Sequence, residues 1–277
     1  MTAAARRTRL PAGRRGRAGD RLTRIVGGVV VTIVSIALLA PAVLVAVLSF
    51  SGDSYLTFPP KSWGLRQYQT MFTDPTWGSA IGLSFKIALP TAIISALIAV
   101  PAVIAIHRSQ LPGRNSVQVA GLTGIIIPIS AYAVAMYAVQ AQFHILGTYL
   151  GLLVANITIA MPLVLVVTAA AMSRIPISLE QAAMTAGASR GRALAGITVR
   201  LLAPAILAGS VLAFITSFDE AVFINFLGGP GQVTLPKAIF DSVRFGLDPV
   251  ITAIATVLMV ATSLLMLVAL RLGRKGR

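Results

Sequence analysis

The sequence predicts an all-α, polytopic membrane protein: six transmembrane helices, with both termini in the cytoplasm. Three observations carry that prediction. First, 56% of the 277 residues are hydrophobic and only 11% are charged, against about 25% charged in an ordinary soluble domain. A chain this apolar cannot cover its own surface with polar groups, and it is too apolar for intrinsic disorder. Second, six stretches reach the roughly 20 apolar residues that a helix needs to cross a bilayer core of ~30 Å. Third, the connecting segments are strongly asymmetric in basic residues, with 18 Lys and Arg on one side and 4 on the other, which sets orientation by the positive-inside rule.

The elements follow in chain order. Residues 1–24 are a basic cytoplasmic tail with eight arginines and one acid, Asp20. No aromatic residue interleaves these arginines, so a stacking surface for bases is missing and nucleic acid is not the expected partner. The first span, 25–49, contains Pro41 and is far longer than the ~7–15 residues of a signal-peptide core. The external segment 50–78 is rich in aromatic residues, including Trp63, Tyr68, Phe72 and Trp77; such residues favour the headgroup level. A short interfacial helix is expected around 64–73.

The second span, 79–106, holds Pro90, Pro101 and one cation, Lys86. The third, 117–139, holds Pro128, and the fourth, 150–172, holds Pro162. In water these prolines would argue against helix; in a membrane bundle, neighbouring helices satisfy the freed backbone groups. The fifth span, 204–226, carries two adjacent acids, Asp219 and Glu220. At 1.5 Å per residue, they lie roughly 22 Å beyond Pro204, in the outer half. Ionisable groups at such depth face a cavity or a partner. Two readings stay open: contact with a cationic solute, walled by Phe214 and Phe218 on one helical face, or pairing with Lys86. Gly228, Gly229, Pro230 and Gly231 end the span, and the sixth follows at 250–271, with a cytoplasmic tail at 272–277.

The cytoplasmic loop 173–203 is the most informative segment. Ser178-Leu179-Glu180-Gln181 fits a capping box that starts a helix. Gly187 is placed to end it, about ten residues on, as a left-handed cap. Ala182, Ala183, Ala186 and Gly187 give this helix a small-residue surface that another protein can approach closely. A second helical segment starts near Ser189 and runs towards Pro204, with Arg190, Arg192 and Arg200 facing water or headgroups.

The run Gln181-Ala182-Ala183-Met184-Thr185-Ala186-Gly187, followed by Leu202-Ala203-Pro204 at the next span, resembles the Glu-Ala-Ala-x-x-x-Gly loop of binding-protein-dependent ABC transporter permeases. The resemblance covers nearly the whole chain and implies a type I importer permease fold, with 25–271 as the permease domain. It implies that Glu180, Gln181, Ala182, Ala183 and Gly187 belong to a coupling helix that docks on an ATP-hydrolysing subunit. Gln181 stands where the family usually has glutamate; Glu180, one residue earlier, points about 100° away on a helix. Residues 214–249, with Phe-Ile-Thr-Ser-Phe-Asp-Glu-Ala-Val, Phe-Leu-Gly-Gly-Pro-Gly and Gly-Leu-Asp-Pro, look like the second of the two paired spermidine/putrescine-type permeases.

Further expectations follow from the resemblance. The partners are a dimeric ATPase, a second homologous permease subunit and an extracytoplasmic substrate-binding protein, and the site of action is the bacterial inner membrane. A permease of the same class for a sugar, iron or phosphonate is the alternative.

Other function classes fare worse on the residues. The chain lacks a Gly-x-x-x-x-Gly-Lys-Ser/Thr phosphate loop, so ATP hydrolysis belongs to another subunit. An intramembrane enzyme needs a clustered dyad, yet only Lys86, Asp219 and Glu220 are ionisable within the spans, and His107 and His144 fall at opposite faces. No catalytic, cofactor or metal site is expected, and cysteine is absent, which excludes thiolate chemistry. A passive channel finds no ring-forming selectivity loop.

Overall fold

A computed structural model describes residues 16–109, 127–246 and 248–275. The described residues form an all-α protein whose helices are α1 (Gly16–Leu48), α2 (Arg66–Thr73), α3 (Pro75–Arg108), α4 (Ile129–Gln142), α5 (Tyr149–Met172), α6 (Ser178–Thr185), α7 (Arg190–Phe218), α8 (Val222–Leu227), α9 (Leu235–Phe245) and α10 (Val250–Lys275). Most of the expected tail 1–24, the start of the expected third span and the last two residues lie outside the described residues.

Among the described residues, four of the six expected spans are helices long and apolar enough to cross a membrane: Arg24–Leu48, Pro75–Arg108, Tyr149–Met172 and Arg190–Phe218. The third expected span is represented by α4, with 14 residues, and Pro128 lies just before it rather than inside it. A residue without an N–H loses nothing at a helix start. The sixth begins where expected, at Val250, and Val250–Leu264 is a shorter apolar helix.

The chain divides into two compact units. One comprises residues 70–248 and is built on α3, α5 and α7, which pack against one another. Their contact faces are lined with small residues: Ala92, Ala99, Ala160 and Ala213 are buried around Val164. Lipid-immersed helices gain little from hydrophobic exclusion, so close backbone approach is what holds them together. Gly209 shows how close: a Cβ there would sit 3.1 Å from Val164 Cα. At one end of this trio, Ile87, Leu152 and Ala155 bury Phe223, Ile224 and Leu227 of α8. At the other end, Val103, Met172 and Leu202 form the floor on which the 173–189 segment stands.

The other unit comprises residues 1–69 and 249–277, in which α1 packs on α10. Between α1 and α2 the chain makes a tied loop. Ser51 and Trp63 form an isolated antiparallel bridge, and Gln67 Nε2 donates to the carbonyls of Ser51 and Asp53 at 3.1 and 2.8 Å. The Asp53 carboxylate accepts from Ser62 Oγ at 2.6 Å, the Lys61 N–H at 2.8 Å and Thr57 Oγ1 at 3.1 Å. Donors to the ionised form favour it, and they hold the Asp53 carboxyl down at about 2, with the Ser62 hydroxyl contributing most.

Candidate functional site

Two regions of the 70–248 unit carry the residues singled out by the sequence. The first is α6 and its flanks. The capping box is not formed: Ser178 is itself the first helical residue, and no side chain caps the start. The chain instead enters α6 through a turn in which Leu179 N–H donates to the Pro176 carbonyl. The helix therefore runs for eight residues rather than about ten.

Its end matches the expectation. Gly187 has φ +92°; its N–H bonds the Met184 carbonyl, and the Ala188 N–H bonds the Ala183 carbonyl, both at 3.0 Å. This is a complete Schellman termination. Gln181, Ala182, Ala186 and Gly187 are exposed and Ala183 is half-buried, beside exposed Leu179 and Met184. One surface of small and apolar groups thus faces away from the helical trio.

Glu180 does the opposite, being only 5% exposed. Its Oε1 accepts from Arg108 Nε at 2.7 Å and from the Thr198 hydroxyl. Arg108 Nη2 also donates to the Ile175 carbonyl at 3.0 Å. Sequence reasoning missed Arg108 and Thr198, because nothing in their local pattern announces partners 72 and 18 residues away. Thr198 lies in a π-helical stretch, Leu194–Val199, within α7; extra-wide turns of this kind recur at functional sites. Ser189 caps the start of α7, where the second loop helix was expected, and Arg190, Arg192 and Arg200 are exposed as expected.

The second region is the opposite end of α7. The helix stops at Phe218, with Asp219 as its C-cap at φ −86°, ψ 0°. The two acids therefore lie at a break between α7 and α8, not within a continuous helix to 226. Their fates differ. Asp219 is exposed. Glu220 is buried, and its carboxylate accepts the backbone N–H groups of Val222 at 2.6 Å and Phe223 at 2.8 Å, capping α8. Lys86 is exposed on α3, and the ion pairs among the described residues join Arg108 to Glu180 and Lys237 to Asp241, so Lys86 pairs with neither acid.

Phe214 and Phe218 stack at 5.5 Å, as their spacing predicts. Phe85 of α3 completes an aromatic trio, 5.8 Å from Phe214 and 5.1 Å from Phe218; it was not anticipated because it comes from another helix. Next to Phe218 in the chain, Ser217 Oγ donates to Asn156 Oδ1 at 2.8 Å, a buried polar link between α7 and α5.

Comparison with known proteins gives concordant matches. Residues 98–275 match the family described as binding-protein-dependent transport system inner membrane component. The putrescine transport system permease protein PotI of Escherichia coli K12 is 30% identical over 240 residues, covering 84% of this chain and 85% of that protein. The spermidine/putrescine transport system permease protein PotC of Haemophilus influenzae is 29% identical over 240 residues, covering 85% and 91%. In fold, the chain is similar to a crystal structure of a bacterial ABC transporter involved in import of the acidic polysaccharide alginate, with a TM-score of 0.71 at 16% identity, over 91% of this chain and 97% of that one.

Proposed function

The chain belongs to the family of binding-protein-dependent transport system inner membrane components, and from that premise we propose that it carries polyamine-like cations as one of two paired permeases. As a member of that family it is a permease subunit of an ABC importer for a small solute. In our reading both termini and the 173–203 loop are cytoplasmic, in keeping with the basic bias of those segments. Helix α6 docks on a dimeric ATPase through the face formed by exposed Gln181, Ala182 and Gly187 and half-buried Ala183. A solute-binding protein delivers cargo from outside, and a second, related permease completes the pathway in a bacterial inner membrane.

The observation that carries the cation reading is that an exposed acid, Asp219, directly follows Phe218 of the Phe85–Phe214–Phe218 trio. A polyamine is a flexible apolar chain bearing ammonium groups. Aromatic faces attract such groups by about 0.5–2 kcal/mol each, and a carboxylate ~4 Å away adds about 4 kcal/mol before desolvation at an effective dielectric constant near 20. That suits a weak, transient site, with affinity supplied by the external binding protein. The names of PotI and PotC point to the same solute class.

The test is uptake by the reconstituted complex with putrescine, spermidine and a panel of neutral sugars. The expected result is polyamine uptake that Asp219→Asn slows several-fold, with little change in the half-saturating concentration. Uptake of a sugar and of no polyamine would overturn the cation reading. Wild-type uptake by Gly187→Leu, which loses the left-handed cap, would overturn the docking reading.

A further inference from the structure

Glu180 is the sole acid of the 173–203 segment, and it is turned inward. Its contacts join three elements: Arg108 at the last turn of α3, α6 itself, and Thr198 in the π-helical stretch of α7. The side chains of Arg108 and Glu180 are only 9% and 7% exposed. A buried pair of this kind contributes little net stability compared with apolar residues of the same volume; what it does fix is geometry, because either charge left alone is costly.

The local fold of α6 has other supports. Its C-terminal end is closed by its own Schellman bonds. The ends of α3, α5 and α7 beneath it are packed through Val103, Met172 and Leu202, with Ile175 against them. Arg108 and Glu180 add a lateral tie that neither of these supplies.

We propose that the Arg108–Glu180–Thr198 clasp is the transmission link of this permease: it ties α6 to α3 and α7 together, so that a displacement of α6 moves both spans as one. Arg108, Glu180 and Thr198 are positioning residues, and the docking contacts stay on the exposed face at Gln181, about 100° around the helix from Glu180. The inference rests on the reading of α6 as the ATPase-docking helix. It explains how a chain with Gln181 in place of the usual acid keeps one glutamate in the loop: that glutamate serves the inside of the joint rather than its outer surface.

This chain contains no cysteine, so thiols introduced into it are its only ones, and the experiment is made on the full complex in proteoliposomes with partner subunits freed of cysteine. The variants are Glu180→Gln and the double variant Arg108→Cys/Glu180→Cys, the latter with and without a flexible bifunctional thiol cross-linker. Three quantities are read: co-purification of the ATPase, its hydrolysis rate, and solute imported per ATP.

The expected result is retained ATPase and near wild-type hydrolysis in both variants, with solute per ATP falling several-fold and restored by the cross-link. An unchanged ratio in both untreated variants overturns the proposal. So does a cross-linked protein that stays uncoupled. Loss of the ATPase from Glu180→Gln also overturns it, since the pair would then build the docking surface. The docking reading fails separately, through wild-type uptake by Gly187→Leu.

Discussion

Asp219 and Glu220 carry the same functional group on consecutive residues, and the backbone assigns them to different tasks. Because α7 ends at Phe218, the next residue is left at an open surface, while the one after reaches forward over the start of α8. Free N–H groups at a helix start need an acceptor, and losing one costs about 0.5–2 kcal/mol. Glu220→Ala is therefore expected to lower the thermal midpoint of the purified complex by several degrees, whereas Asp219→Asn leaves it unchanged and acts on transport rate. Melting curves of both variants in detergent test this; a destabilised Asp219→Asn beside an unaffected Glu220→Ala would reverse the assignment. The same division holds between Glu180 and Gln181, where one step along a helix, about 100°, separates a buried tie from an exposed face.

At the scale of elements, the loop between α1 and α2 depends on one carboxylate. Asp53 is held near 2 against an ordinary 3.8 by the donors around it. A group depressed on folding stabilises the folded form above its unfolded value and loses that contribution as pH falls through the folded one. Protection of the Lys61 amide from exchange is thus expected to persist at mildly acidic pH and to fall between about pH 4 and pH 2. Asp53→Asn should show reduced protection already at neutral pH. Equal protection in both proteins at neutral pH would contradict this account.

Elements differ in how far the sequence announces them. The spans around α3, α5 and α7 are legible because lipid demands long apolar runs. Gly187 is legible because a left-handed cap has one preferred residue. Helix α9 is not announced by the sequence: its 11 residues are too few and too mixed in polarity to stand out, although Pro236 near its start and Gly246 at its end are the usual punctuation. The stop of α7 at Phe218 was missed because Asp219, Glu220 and Ala221 contain no breaker. The clasp and Phe85 were invisible because they depend on which helices become neighbours, not on any local spacing.

At the scale of the whole molecule, we read the chain as one wall of a pathway. Large apolar side chains such as Leu89, Ile93 and Leu97 on α3 and Leu207 and Val211 on α7 are exposed, as lipid or another membrane subunit requires. Alternating access needs two halves that rock about a central site, so affinity purification of this subunit is expected to recover a related permease in equal amount. A transport-competent complex with this chain as its single membrane subunit would rule that out. The pairing of α1 with α10 has a consequence for biogenesis. The first described helix to leave the ribosome packs on the last, and about 200 residues separate Leu48 from Val250. At roughly 5–20 residues per second, α1 waits on the order of 10–40 s in the bilayer before its partner is made. The 70–248 unit finishes translation first, and a chain cut short before Val250 leaves α1 without α10 as a place to dock.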